Sequence, residues 1–242
     1  MEYQLNYPES QAVYAIAVSL AGYYFYYYLI TSEWMESVFK RKFQGDAFYL
    51  NRILANKLTG FTFLALIPGI LFFTIWKMYW HSFGITFQKV AENWYWLLGL
   101  PLIIFTINYF SAKKPDIYLR YPQMRIQEWS PGIYLLSTLG WILYLISYEF
   151  LFRGILLLNC IEAFGVWPAI AINVAIYSAI HMTNGFKETI GAIPFGLIAC
   201  LLVVHSGSIL IPIVMHVSLS VSTEIFAIRN NPDMKFVKSR KL

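Results

Sequence analysis

Three pairs of polar residues occur in the second half of the chain, each inside an otherwise apolar stretch and each with its members four residues apart. The pairs are Glu149 and Arg153, Tyr177 and His181, and His216 and Ser220. Residues four apart share one face of a helix. If the three faces turn toward a common cavity, a carboxylate and two imidazoles converge. Such groups can activate water for hydrolysis.

Each pair also has a structural explanation. A charged side chain at the centre of a membrane costs about 2.5–3.5 kcal/mol on insertion scales and usually marks function, but a buried ion pair such as Glu149 with Arg153 can be purely structural. His181 is also explained by a hydrogen bond between helices, and Ser220 by close helix packing. The presence of three such pairs in successive polar-bearing spans favours a functional site.

Five further residues lie near the ends of apolar runs, where contact with solvent or with the membrane interface explains them. They are His81, Cys160, Glu162, His205 and Glu224. The two cysteines, Cys160 and Cys200, both lie in apolar runs, so no disulfide is predicted.

The composition requires that helices in a membrane position these groups. Hydrophobic residues make up 58% of the 242 residues and charged residues only 13%, against about 25% charged in soluble domains. Seven stretches are apolar enough to span a bilayer as helices. They are 12–31, 59–77, 93–110, 134–158, 165–182, 189–205 and 208–228. The predicted fold is therefore an all-α polytopic membrane helix bundle. The N-terminal segment lacks a basic region, so the first run is expected to be a retained helix.

The basic residues predict the orientation. The net charge is +5, but the basic residues lie in the loops 32–58 and 111–133 and in the tail, which argues against nucleic acid as a partner. With seven spans, an N-terminus outside and a cytoplasmic C-terminus place all three basic segments in the cytoplasm. We predict one membrane domain, with scaffold helices over 1–130, a catalytic core over 131–228 and a basic cytoplasmic tail over 229–242. A bacterial inner (cell) membrane fits this pattern.

These residues resemble the CPBP family of intramembrane proteases, which includes CAAX prenyl proteases and bacteriocin-processing, immunity and abortive-infection-like proteins. The family pattern is EExxxR, then FxxxH, then HxxxN, each on a transmembrane helix. The corresponding segments are Tyr148-Glu149-xxx-Arg153, Tyr177-xxx-His181 and His216-xxx-Ser220. The resemblance covers about residues 130–228. Tyr148 replaces the first glutamate of the family pattern, and Ser220 replaces the commoner asparagine.

The resemblance implies an intramembrane endopeptidase that acts on a peptide or lipidated protein substrate among membrane lipids. Glu149 and His181 would activate water, His216 and Ser220 would stabilise the oxyanion, and Arg153 would hold Glu149 ionised. Tyr148 and Tyr177 would line the substrate cavity. No cofactor is favoured. Zn²⁺ held by Glu149, His181 and His216 is the alternative, since a His₂Glu set suits catalytic zinc, although no HExxH motif is present.

Other functions stay open at this point. Position 148 is about 100° from Glu149 around a helix, so a cavity built for position 148 would leave Glu149 beside the water unless the helix is rotated. Simple spans also place Glu149 and His181 at different depths, which strong tilt or a break near Gly140 would reconcile. A catalytically silent membrane binding or immunity protein of the same family would explain Tyr148. A transporter with an intramembrane proton relay lacks an inverted repeat. Serine catalysis by Ser218, Ser220 or Ser222 lacks a nucleophile-elbow pattern.

Overall fold

The computed structural model describes residues 5–239. Within these residues, seven helices are long and apolar enough to cross a membrane. In chain order the spans are Tyr7–Thr31, Gly45–Ile75, Trp94–Ser111, Pro131–Phe164, Val166–Asn184, Phe186–Ser206 and Leu210–Asn230. The number of spans and the all-α class agree with the prediction. We refer to these helices below as the first to the seventh span.

The predicted loop 32–58 is largely helical, so its assignment as a loop was wrong. Glu33–Lys42 forms a short helix, and the side chain of Ser32 caps it by accepting a hydrogen bond from the Met35 amide. The second span begins at Gly45, well before the apolar run that starts near residue 59. Charged residues interrupt the apolar pattern at Arg52 and Lys57 but leave the helical backbone hydrogen bonds intact, so the helix continues through them.

The fourth span changes its helical register in the middle of the candidate site. Pro131–Glu149 is α-helical, and the helix passes through Gly140 without a break. Phe150–Leu157 is a π-helix, a form that is frequent at functional sites. At Gly154 an added Cβ would lie 3.1 Å from the carbonyl oxygen of Phe83. The absence of a side chain there lets the π-helical segment approach the backbone of the 3₁₀ turn Trp80–Phe83, which lies between the second and third spans.

The chain forms two compact units. Among the described residues, one contains 5–24, Phe63–Trp94 and Ser147–Ile213. Aromatic rings pack in series in this unit, with centroid distances of 5.4 Å for Tyr14–Phe72, 6.2 Å for Phe72–Phe83 and 5.1 Å for Phe83–Phe150. The ring series packs the first and second spans, together with the 3₁₀ turn Trp80–Phe83, against the π-helical segment.

The other unit contains Phe25–Thr62, Tyr95–Ile146 and the described residues 214–239. Its buried apolar cluster lies around Trp129, whose Nε1 donates to the Ile126 carbonyl at 2.8 Å. Two short parallel strands, β1 (Glu128–Trp129) and β2 (Lys235–Phe236), pair beside this cluster. Part of the predicted tail 229–242 is therefore helix and strand, while Arg240 and Lys241 lie outside the described residues.

Candidate active site

The fourth span supplies a buried ion pair. Arg153 Nε lies 3.3 Å from Glu149 Oε2, and neither side chain has any exposed surface. The pair straddles the junction at which the α-helix ends and the π-helix begins. The Arg153 guanidinium also lies over the Tyr177 ring, 4.3 Å from its centroid. The first two predicted motifs therefore meet through Arg153 and Tyr177.

The fifth span positions His181 at the end of its α-helical part. The α-helix ends at Ile180 and a 3₁₀ turn follows over His181–Asn184. The Nδ1 atom of His181 is 2.7 Å from the Tyr177 carbonyl oxygen. A carbonyl only accepts hydrogen bonds, so Nδ1 carries the proton and the lone pair of the neutral ring lies on Nε2. His181 is partly exposed, as a proton acceptor for water must be.

Tyr148 lies on the side of the helix that faces His181. Its ring centroid is 5.8 Å from that of Tyr177 and 6.3 Å from that of His181. Glu149, the next residue, points to Arg153 instead. The two aromatic residues predicted to line a substrate cavity are thus both buried against the histidine. An aromatic ring occupies the position at which the family pattern has its first glutamate.

Three residues that the sequence analysis did not select complete this cluster. Asn173 Nδ2 donates to the Phe152 carbonyl at 2.6 Å, and the Cys200 thiol donates to Asn173 Oδ1 at 3.2 Å. An added Cβ at Gly196 would be 3.0 Å from a Tyr177 ring carbon. Asn173 could have been selected from the sequence, since it is a polar residue one turn before Tyr177 on the same helix face. Nothing in the sequence pointed to Cys200 or Gly196, because small residues are ordinary in membrane helices.

The third motif lies on the seventh span, in the compact unit that also contains the Trp129 cluster. His216 is buried and Ser220 is partly buried. The neighbouring serines are bound to backbone or to another side chain. Ser218 Oγ donates to the Val214 carbonyl at 2.7 Å, and Ser222 Oγ accepts from Asn108 Nδ2 at 2.7 Å.

Glu224 was expected in contact with solvent, and this expectation was wrong. Its side chain is buried, and its two carboxylate oxygens accept hydrogen bonds from Ser137 Oγ at 2.7 Å and from Trp141 Nε1 at 3.2 Å. Lys57 is buried in the same unit, over the Trp141 ring. The sequence places both charges near the ends of apolar runs, where solvent contact is the ordinary expectation. Only their neighbours in the folded chain show that they are enclosed.

No group of three or more His, Cys, Asp or Glu side chains that could hold a metal ion occurs in the part of the chain that the structure describes.

Comparison with known protein families gives one match, in the second half of the chain. The family model for type II CAAX prenyl endopeptidase Rce1-like proteins matches residues 129–222. The match includes all three predicted motifs and is consistent with the CPBP family that the sequence resembles. Comparisons with curated proteins and with solved structures gave no match. Residues 129–222 are thus similar to endopeptidases of the CAAX-protease type, and the seven apolar helices make this an integral membrane protein.

Proposed function

We propose that this chain is an intramembrane endopeptidase that hydrolyses a peptide bond in a peptide or lipidated protein substrate. The main support for this proposal is the family match to type II CAAX prenyl endopeptidase Rce1-like proteins. The match spans residues 129–222 and so contains all three polar motifs. The first two motifs form a single buried cluster around Tyr177. Intramembrane residues of this kind are expensive to bury and commonly functional.

In this proposal Glu149 and His181 are the water-activating pair. His181 is the member that water can reach, because it is partly exposed, whereas Glu149 is fully buried. The lone pair on His181 Nε2 accepts a proton from water, since Nδ1 donates to the Tyr177 carbonyl. Arg153 holds the Glu149 carboxylate in place through the ion pair. General-base catalysis by such a group contributes typically about 10²–10⁴-fold in rate.

His216 and Ser220 are proposed to donate hydrogen bonds to the oxyanion. This assignment rests on the similarity of His216-xxx-Ser220 to the last family motif. Donors fixed in advance in a site of low dielectric stabilise the negative charge that develops on the carbonyl oxygen. Loss of one such donor typically lowers kcat by about 10²–10³-fold.

The test is cleavage of a peptide library, with and without a prenyl group on the peptides, by the full chain in liposomes. Glu149→Gln and His181→Ala are expected to lower kcat by about 10²-fold or more. Matched controls are Glu162→Gln on the same span and His205→Ala on the sixth span, since both residues are exposed. The proposal fails if all four variants and the wild type cleave equally.

A metal-free mechanism is part of the proposal, and the same assay tests it. Zinc bound by Glu149, His181 and His216 would make cleavage sensitive to a chelator and restorable by added Zn²⁺. Unchanged cleavage in excess chelator is the expected result. Chelator-sensitive cleavage that Zn²⁺ restores would replace the Glu–His mechanism by metal catalysis.

A second candidate function, a catalytically silent membrane binding or immunity protein, is favoured by Tyr148. Its ring lies beside His181, where the family pattern has its first glutamate. No cleavage by well-folded wild type across the library would support this candidate. Tyr148→Glu separates the two functions, because a carboxylate at this position is expected to create cleavage in a silent protein. Tyr28→Glu, at an exposed tyrosine of the first span, is the matched control.

The orientation and the cellular membrane are also proposals. We place the N-terminus outside and the C-terminus in the cytoplasm of a bacterial inner membrane, on the distribution of lysine and arginine. Reporter fusions at each end check this placement, with a reporter active only in the cytoplasm expected to work at the C-terminus alone. The opposite pattern would refute it.

A further inference from the structure

A second cluster of buried polar residues lies in the unit that contains the seventh span, and the proposed reaction does not use it. At its centre is Glu224, which is 1% exposed. Both of its carboxylate oxygens accept hydrogen bonds from the fourth span, one from Ser137 Oγ at 2.7 Å and one from Trp141 Nε1 at 3.2 Å. The donors are four residues apart and so share one helix face.

Lys57 supplies the opposite formal charge. Its side-chain nitrogen lies 3.1 Å from the centroid of the Trp141 ring and 4.7 Å from that of Tyr144, and it donates to Gln123 Oε1 at 2.9 Å. Lys57 is 4% exposed. Trp141 therefore contacts both charged residues, with its ring face toward the lysine and its N–H toward the glutamate. A cation over an aromatic ring is attracted to the ring face, and more strongly so when it is removed from water.

The position of Glu224 on its helix connects this cluster to the third motif. Glu224 follows Ser220 by four residues and His216 by eight, on the same α-helix. Each step of four residues turns the side chain by only about 40° around the helix axis. The three residues therefore succeed one another along one side of the seventh span, over about 12 Å. Because the helix is regular, a rotation at Glu224 is transmitted to His216.

We propose that Glu224, held by Ser137 and by Trp141, which Lys57 also contacts, is a positioning residue that sets the rotation of the seventh span and thereby the direction of His216 and Ser220. The consequence for cleavage rests on the proposed function, while the orientation of His216 does not. The two hydrogen bonds from the fourth span to Glu224 resist rotation of the seventh span. Turning the helix would break them, and apolar surroundings offer no replacement donors.

The first measurement reports on His216 without any substrate. The chain has four histidines, so ¹³C-histidine labelling of the full chain in detergent gives few signals, and His216→Asn assigns one of them. Glu224→Gln and Lys57→Met are each expected to shift the His216 signal, because each leaves one buried charge unbalanced. The double variant removes both charges and is expected to bring the signal back toward that of the wild type.

The second measurement uses the cleavage assay with the same variants. Each single variant is expected to lower kcat about tenfold with KM unchanged, since small misplacements of catalytic groups act on the reaction step. The double variant recovers part of kcat. Matched controls are Glu36→Gln and Lys40→Met, which disrupt an ion pair whose side chains are 50% and 62% exposed. Ser137→Ala is a milder variant for use if a charge variant does not fold.

The outcomes separate this inference from the proposed function. If the His216 signal stays fixed in both charge variants while their melting temperatures fall, the cluster only stabilises the fold and the positioning role is refuted. If the signal moves and returns as expected but the wild type cleaves nothing, the positioning role stands and the protease assignment fails. A loss of kcat that the double variant does not recover also counts against the positioning role.

Discussion

Each of the two units contains a buried acid and base, and the two pairs differ in the contacts and the helix type that hold them. Around Glu224 both carboxylate oxygens accept hydrogen bonds, and Lys57 donates to Gln123. Around Glu149 the ion pair to Arg153 is 3.3 Å long. This pair lies where the α-helix changes to a π-helix, and the Arg153 guanidinium also lies over the Tyr177 ring.

This difference is informative because a hydrogen-bonded network favours one arrangement of the helices that supply it. A π-helical segment such as the one that carries Arg153 is frequent at functional sites. We therefore expect the Glu224 cluster to hold helices in place and the Glu149 cluster to take part in chemistry. Three changes to the sequence test that contrast, and a fourth, at an exposed pair, gives the effect expected outside both clusters.

Removal of Arg153 should have the largest effect on stability. Arg153→Met leaves the Glu149 carboxylate buried with no cation beside it, which is expected to lower the free energy of unfolding by about 3–5 kcal/mol. Denaturation of the purified chain in detergent measures this change. Arg229→Met is the control, because Arg229 is exposed. Equal stability of the two variants would show that Arg153 does not neutralise Glu149.

Trp141→Phe should have the next largest effect. The substitution keeps an aromatic ring under Lys57 but removes the N–H that donates to Glu224. A buried acceptor that loses its donor is expected to cost about 2 kcal/mol. Trp167→Phe, at a residue that is 70% exposed, is the control for loss of an indole. If Trp141→Phe is as stable as its control, Glu224 does not depend on this hydrogen bond.

Gly196→Ala should disturb the Glu149 cluster alone. The new Cβ would be 3.0 Å from a Tyr177 ring carbon and 3.6 Å from Arg153 Nη2. Gly191, on the same helix, has nothing within 4 Å of an added Cβ. Overpacking predicts that the Gly196 variant is less stable than the Gly191 variant by about 1 kcal/mol, with a matching loss of cleavage. Wild-type cleavage by the Gly196 variant would show that the Tyr177 ring can move without consequence.

The smallest effect is expected at the exposed pair Glu36 and Lys40, which lies outside the seven spans. A hydrogen bond and the charge of Lys40 lower the pKa of the Glu36 carboxyl below its ordinary value. The associated stability is present above the ordinary pKa of glutamate and is lost as the pH falls through the lowered pKa of the folded chain. In Lys40→Met an NMR titration of Glu36 should show a higher pKa. An unchanged titration would contradict this ion pair.

Much of the architecture follows from local properties of the sequence. The third span was predicted at 93–110 and is observed at Trp94–Ser111, because an uninterrupted apolar run has only one favourable conformation in a bilayer. The second span was predicted to begin too late, since Arg52 and Lys57 interrupt its apolar pattern. The π-helical register of Phe150–Leu157 had no sequence signal, because apolar residues suit both helix types.

The candidate site was predictable as a set of residues but not as an arrangement. Spacing alone placed Glu149 with Arg153 and Tyr177 with His181, as neighbours one turn apart on a helix. It could not tell which side of the fourth span faces the fifth. That required the packing of Tyr148 against Tyr177 and His181. The roles of these residues in catalysis remain predictions.

The sequence by itself determined that the chain spans a membrane, how many times it does so and which polar residues share a helix face, because these depend on composition and on the fixed geometry of one helix. Only the tertiary structure decided that Glu224 and Lys57 are enclosed and that Tyr148 lies beside His181. Burial depends on which faces of different helices meet, and residues far apart in the sequence determine that together.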